Sequence, residues 1–278
     1  MLGRYISIYL QKHFMRPDID IRCINRDNID ASKINQRDLH DRLNLFYQIK
    51  MGDVVINCIG AIKPRVDELG TLNAILVNSA FPIMLSDIVR SLRAKFIHFT
   101  TDCVYSGNKM NESGMFPAFP KRGNYSETDI HDAQDIYGKT KSLGEPQLAT
   151  VIRTSIIGEE PGRKQRSLLQ WVLDNEGKSI NGFANHYWNG VTCLRLAWII
   201  GEMISTENYW HGVKHIYSNI VSKYELISYI NDVYGKGNTV IKTPTMSMDR
   251  TLKSGRSDVI FPEFDIYEDI KEQKEFKI

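Results

Sequence analysis

Apolar residues at Leu2, Tyr5, Ile6, Tyr9 and Leu10 recur every three or four positions, which predicts an amphipathic helix over 2–14. Pro17 and Asp18 end it. Residues 19–24 alternate and are rich in isoleucine, so they read as a strand. A helix is predicted over 38–49. Residues 54–59 form a brief apolar run with four β-branched side chains, the mark of a buried parallel strand. A long helical pattern covers 73–92, with Pro82 as a candidate kink. Strands follow at 95–99 and 150–157. Between them lie a long loop at 107–128, punctuated by glycine and proline, and a helix over 133–145 that Pro146 ends. In the second half, helices are predicted over 167–175, 191–204, 222–234 and 268–277, and a strand over 214–217. Ser222 and Glu225 have the spacing of a capping box. Residues 186–190 and 246–262 read as loops.

Short buried strands alternating with helices predict an α/β chain with a mainly parallel sheet. Sites in such sheets form beyond the carboxyl ends of the strands. Polar clusters stand at three such ends: 57–61, 100–102 and 153–155. Residues 1–160 are read as the main domain, to which later segments return. Residues 161–278 are read as a smaller substrate lobe with a cleft between the two.

Composition narrows the class. The chain has 278 residues, 42% of them hydrophobic, enough for a substantial core. Its 35 Lys plus Arg nearly balance 33 Asp plus Glu, which argues against a nucleic-acid protein. Four scattered cysteines without a CxxC pair suggest free thiols, and no ligand pattern suggests a metal. No uninterrupted apolar run has the length of a membrane span and no secretory leader is visible, so a cytoplasmic location without membrane contact is expected.

Tyr137 and Lys141 carry the strongest chemical signal. Four residues apart on a predicted helix, they share one face. A tyrosine beside an ammonium can act as a general acid, because the cation stabilises the phenolate left behind. Thr101, just past a strand end, offers a hydroxyl to a substrate oxygen. Together the three suit hydride reduction of a carbonyl. Such a pair also arises by chance on many helices. Gly3, at a helix start, is a candidate for the last glycine of a phosphate-binding turn. Arg26 is a candidate partner for a ribose phosphate and Asp30 for the nucleotide, the alternative being a polar surface loop. Arg163, in a basic cluster, is a candidate contact for a diphosphate. Trp188 and Asn189 are candidate contacts for a sugar or base. Arg153 is read as an anchor for the second lobe.

The run Thr100-Thr101-Asp102-Cys103-Val104-Tyr105-Ser106-Gly107 resembles the strand-end motif of the extended short-chain dehydrogenase/reductase family, and within it of the dTDP-4-dehydrorhamnose reductase group. Ser126-Glu127-Thr128-Asp129, then Ile136-Tyr137-Gly138-Lys139-Thr140-Lys141 and Glu145, resemble its catalytic helix and approach. Val151-Ile152-Arg153-Thr154-Ser155 resembles the strand that follows. The resemblance implies a Rossmann-like sheet flanked by helices, with Thr101, Tyr137 and Lys141 as catalytic trio. It implies that Gly60, Ala61 and Ile62 line the cofactor, that Lys141 also meets the nicotinamide ribose, and that Gly3 matches the third glycine of the dinucleotide motif. Arg26 would then favour NADP(H), with NAD(H) the alternative, and Asp30 would approach the adenine. The implied substrate is a nucleotide-linked 4-keto-6-deoxy sugar, in deoxysugar and polysaccharide synthesis. The family opens with a strand and two earlier glycines, whereas this chain starts with Met1-Leu2-Gly3 at the tail of that turn. The expectation is therefore a missing N-terminal strand and weak or absent cofactor binding.

Two other readings stand beside this one. One is an epimerase or dehydratase of the same broad family; for a dehydratase the resemblance implies an adjacent Asp-Glu pair, which Thr101-Asp102-Cys103 does not supply. A non-catalytic regulatory subunit on the same fold would need no complete glycine turn. Exposed helices would allow a homodimer.

Overall fold

A computed structural model describes residues 1–14, 19–108, 124–160 and 167–278. Helix α1 spans Leu2–His13 and buries Leu2, Tyr5, Ile6 and Leu10, as the spacing predicts. Residues 19–24 form no strand. The alternation is real, since Ile21 packs on one core and Ile24 on another. A strand also requires a ladder neighbour, and none runs beside this segment among the described residues. It is held instead by side chains: Ser7 Oγ lies 2.9 Å from Cys23 Sγ, and Arg22 Nη1 donates to Tyr47 O at 2.8 Å.

Helix α2, Gln36–Asp41, is capped by the Asn35 side chain and runs into a π-helical turn over Arg42–Phe46. Strand β1 is Val54–Asn57. Helix α3, Lys63–Ile75, a π-helical turn and α4, Phe81–Ser91, then form one helical run, broken only at Gly70, where φ is 75°. This run begins ten residues before the expected helix. Its most apolar 18-residue window has a mean hydropathy of 1.5, so it is long and apolar enough to cross a membrane by composition. Half of that window is buried inside the fold. The sequence hides it because Asn73, Asn78 and Ser79 interrupt the apolar run.

Strand β2 is Lys95–Thr101, α5 is Ile136–Leu143 and β3 is Thr150–Thr154. Ser155 separates β3 from β4, Ile156–Ile157. Helix α6, Leu168–Asp174, starts at a Ser167 cap. Strands β5, Ser179–Phe183, and β6, His186–Trp188, follow. The second corrects the expected loop, because the backbone of 186–188 pairs with strands more than thirty residues away. After β7, Val191–Thr192, helix α7 runs over Cys193–Thr206. Strands β8, Gly212–His215, and β9, Val221–Ser222, lead to α8, Lys223–Tyr234, whose Ser222–Glu225 capping box is present. Strands β10, Thr239–Thr243, and β11, Met248–Asp249, precede α9, Ile266–Glu275.

The main sheet is parallel, in the order β1-β2-β3-β8. Its two faces follow from side-chain alternation. Ile97, Phe99 and Ile152 face α1 and α7, whereas Phe96 and Val151 face the α4 side. Burying both faces explains why these strands read as unbroken apolar runs. The C-terminal lobe has a separate core in which Leu169, Val172, Trp188, Leu226, Ile230 and Ile270 meet. The parallel pair β5–β10 and the ladder β11-β6-β9 belong to it.

Candidate active site

The carboxyl ends of β1 and β2 and the helix α5 meet at one place. Beyond β1, Asn57 Oδ1 accepts from Ile59 N at 3.0 Å while Asn57 Nδ2 lies 3.1 Å from His98 Nδ1. His98 is thus a hydrogen-bonded core histidine that shapes the turn leading to Gly60. The buried Asn78 completes that turn. Its Oδ1 accepts from Ala61 N at 2.7 Å, and its Nδ2 donates to Ala61 O at 3.0 Å and to Thr140 Oγ1 at 3.2 Å. One carboxamide therefore ties the 60–61 turn to α5.

Helix α5 sits close because Gly138 permits it. A side chain on Gly138 would begin 2.3 Å from Cys103 O, inside backbone contact distance. That approach sets Tyr137 against the short 3₁₀ turn over Asp102–Val104 that follows Thr101. The Thr101 hydroxyl accepts from Cys103 N at 3.2 Å and donates to Asp102 Oδ1 at 3.1 Å. Burial raises the Tyr137 phenol well above its ordinary pKa and the nearby Cys103 adds to the shift, while the neighbouring Thr101 hydroxyl opposes it. Tyr137 is therefore protonated across the physiological range. Lys141 is buried one turn on, and its ammonium donates to Phe99 O at 3.1 Å. Burial pushes its pKa down from 10.5 to about 8, against the pull of Glu145. No hydrogen bond joins this ammonium to the phenol.

A cleft opens from the same turn. Arg26, Asp30, Gly60 and Ala61 line it, with Ile24, Arg65 and Val77. Arg26 Nη2 pairs with Asp30 Oδ2 at 3.2 Å, and Asp30 also accepts from the Ser32 hydroxyl at 2.7 Å. Gly3 and Ile62 stand outside this cleft. Gly3 packs on Cys58, and Ile62 is an exposed cap of α3.

On the lobe side, Trp188 is buried with the Lys223 ammonium 5.0 Å above its ring. Burial pushes Lys223 down to about 8, opposed by Asp102 and Cys103, so this cation faces the turn after Thr101. Arg250 Nη1 reaches Cys103 Sγ at 3.6 Å. Both groups of the Asn189 side chain are used on Leu252, accepting from its N at 2.9 Å and donating to its O at 2.8 Å. Arg163 lies outside the described residues. Asn78, Arg65, Lys223 and Arg250 escape sequence reading because no motif marks them. Asn78 alone left a trace, as a polar residue on the buried face of an apolar helix.

Residues 5–250 match the family described as RmlD substrate binding domain. Among curated protein sequences none matches the chain. Among solved structures, it is similar to a dTDP-4-dehydrorhamnose reductase from Clostridium acetobutylicum, with a TM-score of 0.74 and 19% identity, covering 99% of this chain and 95% of that one. The dTDP-4-dehydrorhamnose reductase of Bacillus anthracis, solved with NADP, gives 0.75 at 15% identity, covering 98% and 94%. A GDP-mannoheptose C4 reductase from Campylobacter jejuni, with NADP bound, gives 0.64 at 13% identity, covering 99% and 94%.

Proposed function

The chain belongs to the RmlD substrate binding domain family of the extended short-chain dehydrogenase/reductases, and on that premise we propose that it reduces the 4-keto group of a nucleotide-linked 6-deoxy sugar with NADP(H). The family is one of NAD(P)-dependent nucleotide-sugar oxidoreductases. The observation that supports the reading is one helix that sets Tyr137 beside Thr101 and Lys141 beside Gly60.

The described residues fit a dinucleotide at two points, neither of them the phosphate turn for which Gly3 is the candidate. Gly60 leaves space that a side chain would take from the Lys141 ammonium, 3.2 Å away, and Arg26 and Asp30 line the cleft that adjoins it. Arg26, Asp30, Gly60 and Ala61 would hold the adenosine half, and Lys141 the ribose beside the nicotinamide. When bound, the reduced cofactor supplies the hydride. Thr101 orients the keto oxygen through its hydroxyl. Tyr137, kept neutral by burial, gives its proton to that oxygen as the carbonyl carbon is reduced. The Lys141 charge then favours the phenolate that remains. Beside the Asp102–Cys103 turn, Lys223 and Arg250 present two cations suited to the substrate's diphosphate. Trp188 lies under the Lys223 ammonium, and Asn189 holds the backbone of Leu252.

The test is direct. The protein is mixed with NADPH and, separately, with dTDP-, UDP- and GDP-linked 4-keto-6-deoxy sugars, and cofactor oxidation is followed by absorbance. Saturable turnover with one of them supports the reading. Properly folded protein that oxidises no NADPH with any of them overturns it.

A further inference from the structure

Arg153, at the carboxyl end of β3, is among the largest fully buried side chains of the molecule. Its guanidinium has five N–H donors in a fixed plane, and all five are engaged. Nε donates to Glu145 Oε1 at 3.0 Å, and Nη2 donates to Glu145 Oε2 at 2.6 Å and to His131 Nε2 at 2.7 Å. Nη1 donates to the Tyr105 hydroxyl at 2.6 Å and to His215 Nε2 at 2.9 Å.

The positions of these partners in the chain give the arrangement its meaning. His131 lies five residues before α5 and Glu145 two residues after it. Tyr105 ends the turn that starts at Thr101. His215 ends β8, the strand contributed by the later part of the chain. One side chain therefore holds both flanks of the helix carrying Tyr137 and Lys141, and the far end of the Thr101 turn. The partners are fixed in turn. Tyr105 donates to Ser126 O at 2.8 Å. His131 Nδ1 lies 2.6 Å from the Ser142 hydroxyl, inside α5 itself. His215 Nδ1 lies 2.8 Å from Lys253 O and 3.1 Å from Tyr125 O. Accepting at Nε2 leaves each imidazole neutral, with its proton on Nδ1, so every bond has one donor and one acceptor.

We propose that Arg153 is a positioning residue for the Tyr137–Lys141 helix, acting by tethering both flanks of α5 and the Thr101 turn to the end of β3. This rests on the reductase reading. No partner of Arg153 lines the Arg26–Ala61 cleft, so the inference separates catalysis from cofactor binding.

Arg153→Lys is the test, because an ammonium has three donors and no fork, and leaves at least two acceptors unmet. Relative to the parent, kcat falls by about 10- to 100-fold, the scale expected for slight misplacement of a catalytic group, while KM for NADPH stays within about twofold. Independently of turnover, amide exchange accelerates in α5 and in the Asp102–Val104 turn, with α4 and β2 unchanged. An unchanged kcat in folded Arg153→Lys, or exchange raised equally across the molecule, overturns the inference. If Arg153→Lys does not fold, His131→Phe removes one half-buried acceptor and leaves the Arg153–Glu145 pair intact. Faster exchange in the first turn of α5 is then expected, and no change there overturns the inference. A parent without turnover whose Arg153→Lys variant still loosens α5 counts against the reductase reading alone.

Discussion

The Lys141 ammonium lies 3.2 Å from the point where a side chain on Gly60 would begin. Gly60 carries no positive φ, so its value at this position is space and not backbone freedom. In Gly60→Ala the new methyl group must push the ammonium aside by a few tenths of an ångström, out of line with Phe99 O. The expected outcome is a rise in KM for NADPH of about five- to tenfold, the equivalent of about 1–1.4 kcal/mol, with Tm nearly unchanged. Steady-state kinetics beside a thermal melt checks both.

Tyr137→Phe removes the proton donor and keeps the ring that packs against the Thr101 turn. We expect kcat to fall by about 10²- to 10⁴-fold, the usual worth of general acid catalysis. NADPH affinity, read by fluorescence titration, should stay within about twofold, since the phenol is not needed to hold the nucleotide.

Burial places both Lys141 and Lys223 near 8, so two cations are lost as pH rises through that value. Loss of the Lys141 charge should lower kcat, and loss of the Lys223 charge should raise KM for the nucleotide sugar. In Lys223→Met the pH dependence of that KM should vanish while the decline in kcat remains. The sign for stability is opposite. Between about 8 and 10.5 an unfolded chain holds the Lys141 proton that the folded chain releases, so folding stability attributable to Lys141 rises with pH there. Denaturant melts across that range check this.

Gly138→Ala would set a methyl carbon 2.3 Å from Cys103 O, a backbone atom that cannot step aside. The helix must back away from the Thr101 turn. A loss of about 1–3 kcal/mol, typical of overpacking, should appear in urea melts, with kcat lowered as well.

The parts of the fold legible in sequence are those in which local pattern and tertiary role agree. Ile97, Phe99 and Ile152 are buried on one sheet face and Phe96 and Val151 on the other, so their strands read as short apolar runs. Ser222 caps α8 as its spacing requires. Residues 19–24 show the limit, because strand-like alternation fixes which side chains are buried but not whether a ladder partner exists. The 186–188 strand shows the converse, since its pairing with Met248–Asp249 and Val221–Ser222 lies far off in sequence. In the site, Tyr137 and Lys141 were visible because one helix carries both. Asn78, Lys223 and Arg250 reach it from separate elements, and of these only Asn78, a polar residue on the buried face of an apolar helix, is marked by its own neighbourhood.

The most direct measurement uses NADPH deuterated at C4 of the nicotinamide and follows the label into the sugar by mass spectrometry and NMR. The account predicts deuterium at C4 of the product sugar, with label transfer nearly abolished in Tyr137→Phe although that variant still binds NADPH. Folded protein that binds the nucleotide sugar but transfers no label, or that transfers it equally well without the Tyr137 hydroxyl, would contradict it.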